Sequence, residues 1–198
     1  AVRRLSFCYL GVYITVLPEL AWSLNLRPLV SVTVSDLANW AKLPLNILGP
    51  IALFKMVALP RLLYTLQNFP YFVPTSWYRT LLSNIRSFLW AQHPPRLAFA
   101  KCVRGPYDGG MGMADVQLYY WASQILVIND WMNGGWQDPA FSLEVAALGL
   151  DGIIDVLYGA PIAASCTARA VFLAWWAALR RNGWNHTLTC ETPLWRGT

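Results

Sequence analysis

Between Leu37 and Tyr107 the chain has no aspartate and no glutamate. The next stretch, Gly105 to Ala168, has no lysine and no arginine. Histidine is scarce too: His93 and His186 are the only two, which leaves too little material for a Ser-His-Asp or Cys-His catalytic constellation. The four cysteines, Cys8, Cys102, Cys166 and Cys190, lie far apart with no CxxC pair. Zinc sites need clustered ligands, so the cysteines read as reduced thiols of an intracellular protein. No uncharged run reaches the roughly 18 residues that a membrane span requires. Arg3-Arg4 followed by an apolar run superficially resembles a signal peptide, but Tyr9, Gly11 and Tyr13 within it read better as a strand.

What is present is apolar and aromatic. The 198 residues are 56% hydrophobic and include 11 tryptophans, too much for a disordered chain and enough for one domain or two small ones. The chain opens on Ala1 rather than methionine and is expected to be a piece of something longer. Its charge is segregated. The acid-free span carries Lys42, Lys55, Arg61, Arg79, Arg86, Arg96, Lys101 and Arg104, eight cations and a net +8. The following span carries Asp108, Asp115, Asp130, Asp138, Glu144, Asp151 and Asp155, seven acids and a net −7. Excluding acids over so long a block points to a polyanionic partner; a solvated basic face, or attraction between the two halves, are the plainer readings.

In chain order, Phe7 to Thr15 reads as a strand with a glycine in it, a bulge or a close backbone approach. One strand cannot stand alone, so its partners are expected upstream. Leu24 to Leu43 reads as a helix with Pro28 in its first turn. Leu26, Leu29, Val30, Leu37 and Trp40 form its apolar stripe, and Thr33 is the one polar member. A short strand over Ser31 to Ser35 is the rival. Asn46 to Asn68 is a second helix, capped by Asn46 or starting later at Pro50, and Pro60 should kink it. Thr75 or Ser76 caps a third, which runs to about Trp90. At 100° per residue Trp77, Tyr78, Leu81, Leu82, Ile85, Phe88 and Leu89 share one side of it. Arg79, Ser83, Arg86 and Trp90 share the other, where the two arginines could meet backbone phosphates. Arg96 to Val103 is a short helix. Gly105 to Gly112 is glycine-rich but lacks the GxxxxGK(S/T) of a P-loop, and it reads as a turn. Asp115 caps a helix to Met132. Further helices are expected over Ser142 to Leu150 and Thr167 to Arg181, where Arg180-Arg181 suits the C-terminus. A loose tail follows from Asn182. Asp151 and Asp155, four apart, read as surface acids.

Several spaced blocks resemble one family. Lys55-Met56-Val57-Ala58-Leu59-Pro60-Arg61-Leu62-Leu63-Tyr64 is similar to the KM-x-x-LP-(K/R)-x-x-Y block of reverse transcriptases from LINE-type (non-LTR) retrotransposons. Phe7, Tyr9, Leu10, Gly11 and Val12 match that family's (F/K)-x-YLG-(I/V) strand. Trp40, Leu43-Pro44-Leu45 and Leu48-Gly49 resemble its W-x-x-LPL-x-x-LG segment, and Phe88-Leu89-Trp90 its F-(I/L)-W. The glycines Gly109, Gly110 and Gly112, with Asp115 and Tyr119-Tyr120, resemble its GG-x-G-x-PDF-x-x-YY. The likeness runs from about Phe7 to Trp131. The chain departs from the family at Pro50, where arginine is usual, and at Ala114 and Val116, where proline and phenylalanine are usual.

The resemblance implies a mainly α fold: a helical thumb-like bundle with a short N-terminal strand left from an upstream palm sheet. It divides the chain into 1–23 (end of the palm), 24–104 (basic thumb-like helices) and 105–198 (an acidic, then mixed helical region). It implies a template–primer-binding fragment of an RNA-directed DNA polymerase, intracellular in cytoplasm and nucleus. The partners it implies are an RNA–DNA hybrid, held by phosphate contacts to the eight cations, and the upstream palm domain, with no membrane. Tyr9, Leu10 and Gly11 would lie beside the region that grips the primer end. The family's paired aspartates lie upstream of the YLG strand, and this chain has no Asp-Asp. The chain alone is therefore expected to be non-catalytic and to need no cofactor, Mg2+ belonging to the full-length polymerase. Two alternatives remain open: a helical interaction module that docks acidic proteins, and a membrane-associated protein.

Overall fold

The computed structural model describes residues 6–46, 48–69, 71–91, 93–133, 139–162 and 169–183. The protein is mainly helical with a short two-stranded antiparallel sheet at its N-terminus. It divides into two compact units, one of residues 1–69 and 73–120, the other of 70–72 and 121–198.

The first unit opens with a hairpin, not a single strand. β1 (Ser6–Tyr9) pairs with β2 (Val12–Thr15), Phe7 opposite Ile14 and Tyr9 opposite Val12. The partner expected upstream is the second half of the same segment, and Gly11 is neither bulge nor close approach. Leu10 at φ 45° and Gly11 at φ 80° form the two-residue turn, and positive φ at both positions matches the twist of paired strands. The hairpin is thin, so it leans on its neighbour. Val12 and Thr15 are buried, and Asn25 grips the backbone of Tyr13 at both ends. Tyr13 N–H donates to Asn25 Oδ1 at 2.8 Å, and Asn25 Nδ2 donates to Tyr13 O at 2.8 Å.

The next helix starts at Pro18, six residues before the expected Leu24, and runs through α1 (Pro18–Ala21), a π-helical turn (Trp22–Leu26) and α2 (Arg27–Trp40). Proline suits the first helical position because its missing N–H would be unpaired there. Pro28 is therefore an interior proline rather than a first-turn one. The π turn makes room for it: Arg27 N–H reaches back five residues to Trp22 O. The widened turn accommodates a ring that would otherwise press on the preceding carbonyls. The helix passes through Ser31 to Ser35, so the rival strand does not form. Leu26, Leu29 and Leu37 are buried as the stripe requires, and buried Thr33 donates to Leu29 O at 2.8 Å.

The same device recurs in the following helix. α3 (Gly49–Leu53), a π turn (Phe54–Ala58) and α4 (Leu59–Gln67) run on as one, and Leu59 N–H reaches Phe54 O just before Pro60. The helix starts at Gly49 with Pro50 in its first turn, the later of the two expected starts, and Asn46 Oδ1 accepts from Leu48 and Gly49 N–H at 3.1 and 2.9 Å in the turn before it. Among the described residues, this helix, Gly49–Gln67, is the one long and apolar enough to cross a membrane by length and composition. Ile51, Phe54, Ala58, Leu62 and Leu66 form its buried stripe, Met56, Val57 and Tyr64 are exposed, and it carries Lys55 and Arg61.

α5 (Thr75–Leu89) begins one residue after Pro74, and neither Thr75 nor Ser76 caps it. The short α6 (Phe99–Val103) leads to a 3-10 turn (Pro106–Asp108) and the glycine loop, a turn as expected. Here Gly110 is obligatory: a Cβ would stand 2.0 Å from Arg104 O. Asp115 Oδ1 accepts from Gln117 and Leu118 N–H at 3.0 and 3.2 Å and so caps α7 (Val116–Met132).

In the second unit the later part of α7 packs with α8 (Pro139–Leu148), α9 (Leu150–Leu157) and α10 (Arg169–Arg181). The expected helix to Leu150 is divided at Gly149, whose φ is 72°. Phe172, Ile153, Phe141 and Trp131 centre the core. Trp175 and Trp176 Nε1–H donate to Leu157 O and Val156 O at 3.1 and 3.0 Å in the last turn of α9, where Val156 O also accepts from Gly159 N–H at 3.1 Å. Asp151 and Asp155 are exposed. The tail from 184, with His186 and Cys190, and the 163–168 segment with Cys166 lie outside the described residues.

Asn25→Ala should release the hairpin. It leaves both Tyr13 backbone groups without partners, and about 2–4 kcal/mol of stability should go with them. Urea denaturation reads the loss, and early amide exchange of residues 12–15 locates it.

Candidate nucleic-acid interface

α5 is where charge, face and exposure coincide. Fifteen residues with an apolar repeat at helical spacing bury Tyr78, Leu81, Ile85, Phe88 and Leu89, and half-bury Trp77 and Leu82. Arg79, Ser83 and Arg86 lie on the opposite side, as the 100° rule places them, and all three are exposed. Trp90, assigned to that outer side, is instead 9% exposed. The helix ends at Leu89, so helical geometry no longer sets its direction.

The Arg86 guanidinium stands 5.2 Å from the centre of the Phe99 ring on α6, a cation–π contact that brings α6 beside α5. Lys101, on α6, is exposed, and so is Arg96 before that helix. Buried Cys102 lies below this surface. Burial raises its thiol above the usual value; its own backbone hydrogen bond and the charge of Arg86 pull the other way.

Among the described residues, three of the eight expected cations form an ion pair or hydrogen bond within the chain, besides Arg86 on the Phe99 ring. Arg61 forms an ion pair with Asp36, Nη2 to Oδ2 2.6 Å, and both side chains are about a third exposed (37% and 30%). Asp36 stands one residue before the acid-free span, which is why the local charge count misses it. Lys55 Nζ donates to Gly112 O at 3.3 Å, and Lys42 Nζ to Asn39 Oδ1 at 3.4 Å. Arg79, Arg86, Arg96, Lys101 and Arg104 have no ion pair with an acid among the described residues.

The hairpin tip is a second exposed feature. Tyr9 and Leu10 are 61% and 71% exposed, and Leu10 holds a positive φ that non-glycine residues rarely adopt. Tyr64 Oη–H donates to Leu10 O at 2.5 Å and fixes the tip to α4. Tyr64 closes the Lys55–Tyr64 block in the sequence, but nothing in that block says what its hydroxyl holds. Asn25 had no sequence signal at all.

Behind the basic face two phenols pack α5 against α7. The Tyr78 and Tyr120 rings are 6.0 Å apart and tilted by 34°. Burial, then Tyr120 and Asp115, push the Tyr78 phenol up. Burial pushes Tyr120 up to about 12, against the effect of a hydrogen bond with the Val73 backbone.

Among the described residues no group of three or more His, Cys, Asp or Glu side chains converges to hold a metal. The arrangement can bind anions by exposed guanidinium and ammonium groups. No family model matches the chain.

The folded value of Tyr120 lies above the ordinary phenol value of 10, so its contribution is complete below pH 10 and is lost as pH rises toward 12. Tyr120 should account for about 3 kcal/mol of the stability lost across that window, with Tyr78 adding to the fall, and Tyr120→Phe should make the fall shallower. Denaturation series at stepped pH, followed by phenolate absorbance, measure it.

Proposed function

We propose that this chain is the thumb-side part of an RNA-directed DNA polymerase resembling those of LINE-type retrotransposons, and that it binds template–primer nucleic acid through phosphate contacts. The observation that carries the reading is the outer face of α5, where Arg79 and Arg86 stand exposed two turns apart within a sequence span that contains no acid. Cations spaced along one rigid helix suit a regular line of phosphates, and such contacts give affinity without sequence choice. Arg96, Lys101 and Arg104 extend the same charge beyond α5. Arg61 is a poor contributor, because Asp36 already neutralises it.

The exposed hairpin tip at Tyr9, Leu10 and Gly11 supports the same reading. A turn that holds a leucine at positive φ keeps a strained, apolar point outward, and strain of this kind tends to gather at functional places. In this reading the two-metal chemistry belongs to the palm upstream, with its Mg2+, and the chain acts by holding the duplex in the cell interior.

Binding to a blunt RNA–DNA hybrid, titrated across salt, tests the proposal. The expected result is a steep negative dependence of log K on log salt. The double change Arg79→Ala, Arg86→Ala should make that slope shallower by about 2, near 0.9 for each phosphate that is no longer neutralised. Arg61→Ala should leave it unchanged. A soluble, folded chain that ignores the hybrid but binds an aspartate-rich protein would overturn the reading in favour of an acidic-partner module.

A further inference from the structure

A cavity of about 230 Å³ lies in the first unit where α2 and α5 end and the 49–67 helix begins. Trp40, Phe88 and Trp90 line it on the aromatic side, and Asn46, His93 and Arg96 on the polar side. We propose that this pocket takes one unstacked nucleobase from a single-stranded segment next to the duplex, with the adjoining phosphate outside on Arg96. The inference rests on the nucleic-acid reading of the same basic surface and names the part of the strand it would hold.

Size, charge and composition each narrow the ligand. The volume is below the roughly 300 Å³ at which sites for drug-sized molecules begin, so it fits a planar ring rather than a whole nucleotide. The wall combines aromatic side chains with a few polar groups, the composition on which unpaired bases stack and are edge-bonded. Trp40 and Phe88 already touch, ring centres 6.2 Å apart and tilted by 57°. Two helices end here and one begins, so the partial charges of their termini offset one another in part, and the place for the phosphate is set by the cations at the mouth. There His93 and Arg96 are both exposed, and no acid occurs in the sequence from 37 to 107. Ala91, on the rim, holds φ 46°, a strained conformation for alanine in the turn that closes α5 over the cavity.

The test compares two probes on the whole chain: a blunt RNA–DNA hybrid, and the same hybrid with a short single-stranded extension that carries 2-aminopurine. The extended probe should bind on the order of tenfold more tightly, within the range found for one base stacked on aromatic side chains, and its 2-aminopurine fluorescence should be quenched. Leu43→Trp and Leu45→Trp fill the pocket from positions that are 49% and 40% exposed, so folding should be preserved, as unchanged melting would verify. Both should abolish the gain while blunt-hybrid affinity stays within about twofold. Equal binding of the two probes with a steep salt slope retained would overturn the pocket and leave duplex binding standing. A gain that survives both tryptophan variants would also overturn it. Binding of neither probe would overturn both readings together.

Discussion

A proline inside a helix removes one backbone donor and crowds the carbonyls of the turn before it. The first unit is arranged around two such places. Its two longest helical paths, residues 18–40 and 49–67, each carry an interior proline, Pro28 and Pro60. Each meets it in the same way, with a five-residue π turn that ends two residues earlier. Continuity of these helices is what lets Leu26 and Leu29 on one, and Phe54 and Leu62 on the other, enter the core. The turns also place polar side chains. Asn25 sits in the first and grips β2; Lys55 sits in the second and reaches the glycine loop at Gly112. A widened turn re-aims side chains relative to the regular helix, which is why such turns collect specialised residues.

Around that frame, positive charge is either absorbed or displayed. Asp36 takes Arg61, and the carbonyl of Gly112 takes Lys55. Arg79 and Arg86 are displayed because the 15-residue α5 is amphipathic without interruption, and its apolar side leaves them one direction to point. Phe99 holds Arg86 without consuming an acid.

The legible parts of the sequence were those with an unbroken period or a local cap. α5 is uninterrupted, and counting 100° per residue located its buried and exposed sides; the count failed at Trp90, where the helix had stopped. Asp115 acts on backbone within three residues, so its cap could be read, and Pro50 marked the first turn of the 49–67 helix. The hairpin could not, because its turn is Leu10-Gly11 rather than Asn-Gly or Asp-Gly, and a run of β-forming residues looks like one strand. The start at Pro18 was hidden because Pro28 resembled a first-turn proline, and a π turn has no compositional mark. The Arg61–Asp36 pair joins residues 25 apart in sequence, a distance that only the tertiary fold closes.

An acid-free stretch of sequence also has a cost within the molecule. Arg79, Arg86, Arg96, Lys101 and Arg104 lie within 26 residues of chain and repel one another whenever nothing anionic is near. Dissolved ions shield that repulsion over about 8–10 Å at physiological ionic strength. Salt should therefore firm this unit, and under the proposed function it would at the same time loosen the hold on a polyanion. A polyanion bound there would do the shielding itself, so occupancy and rigidity of these residues would rise together.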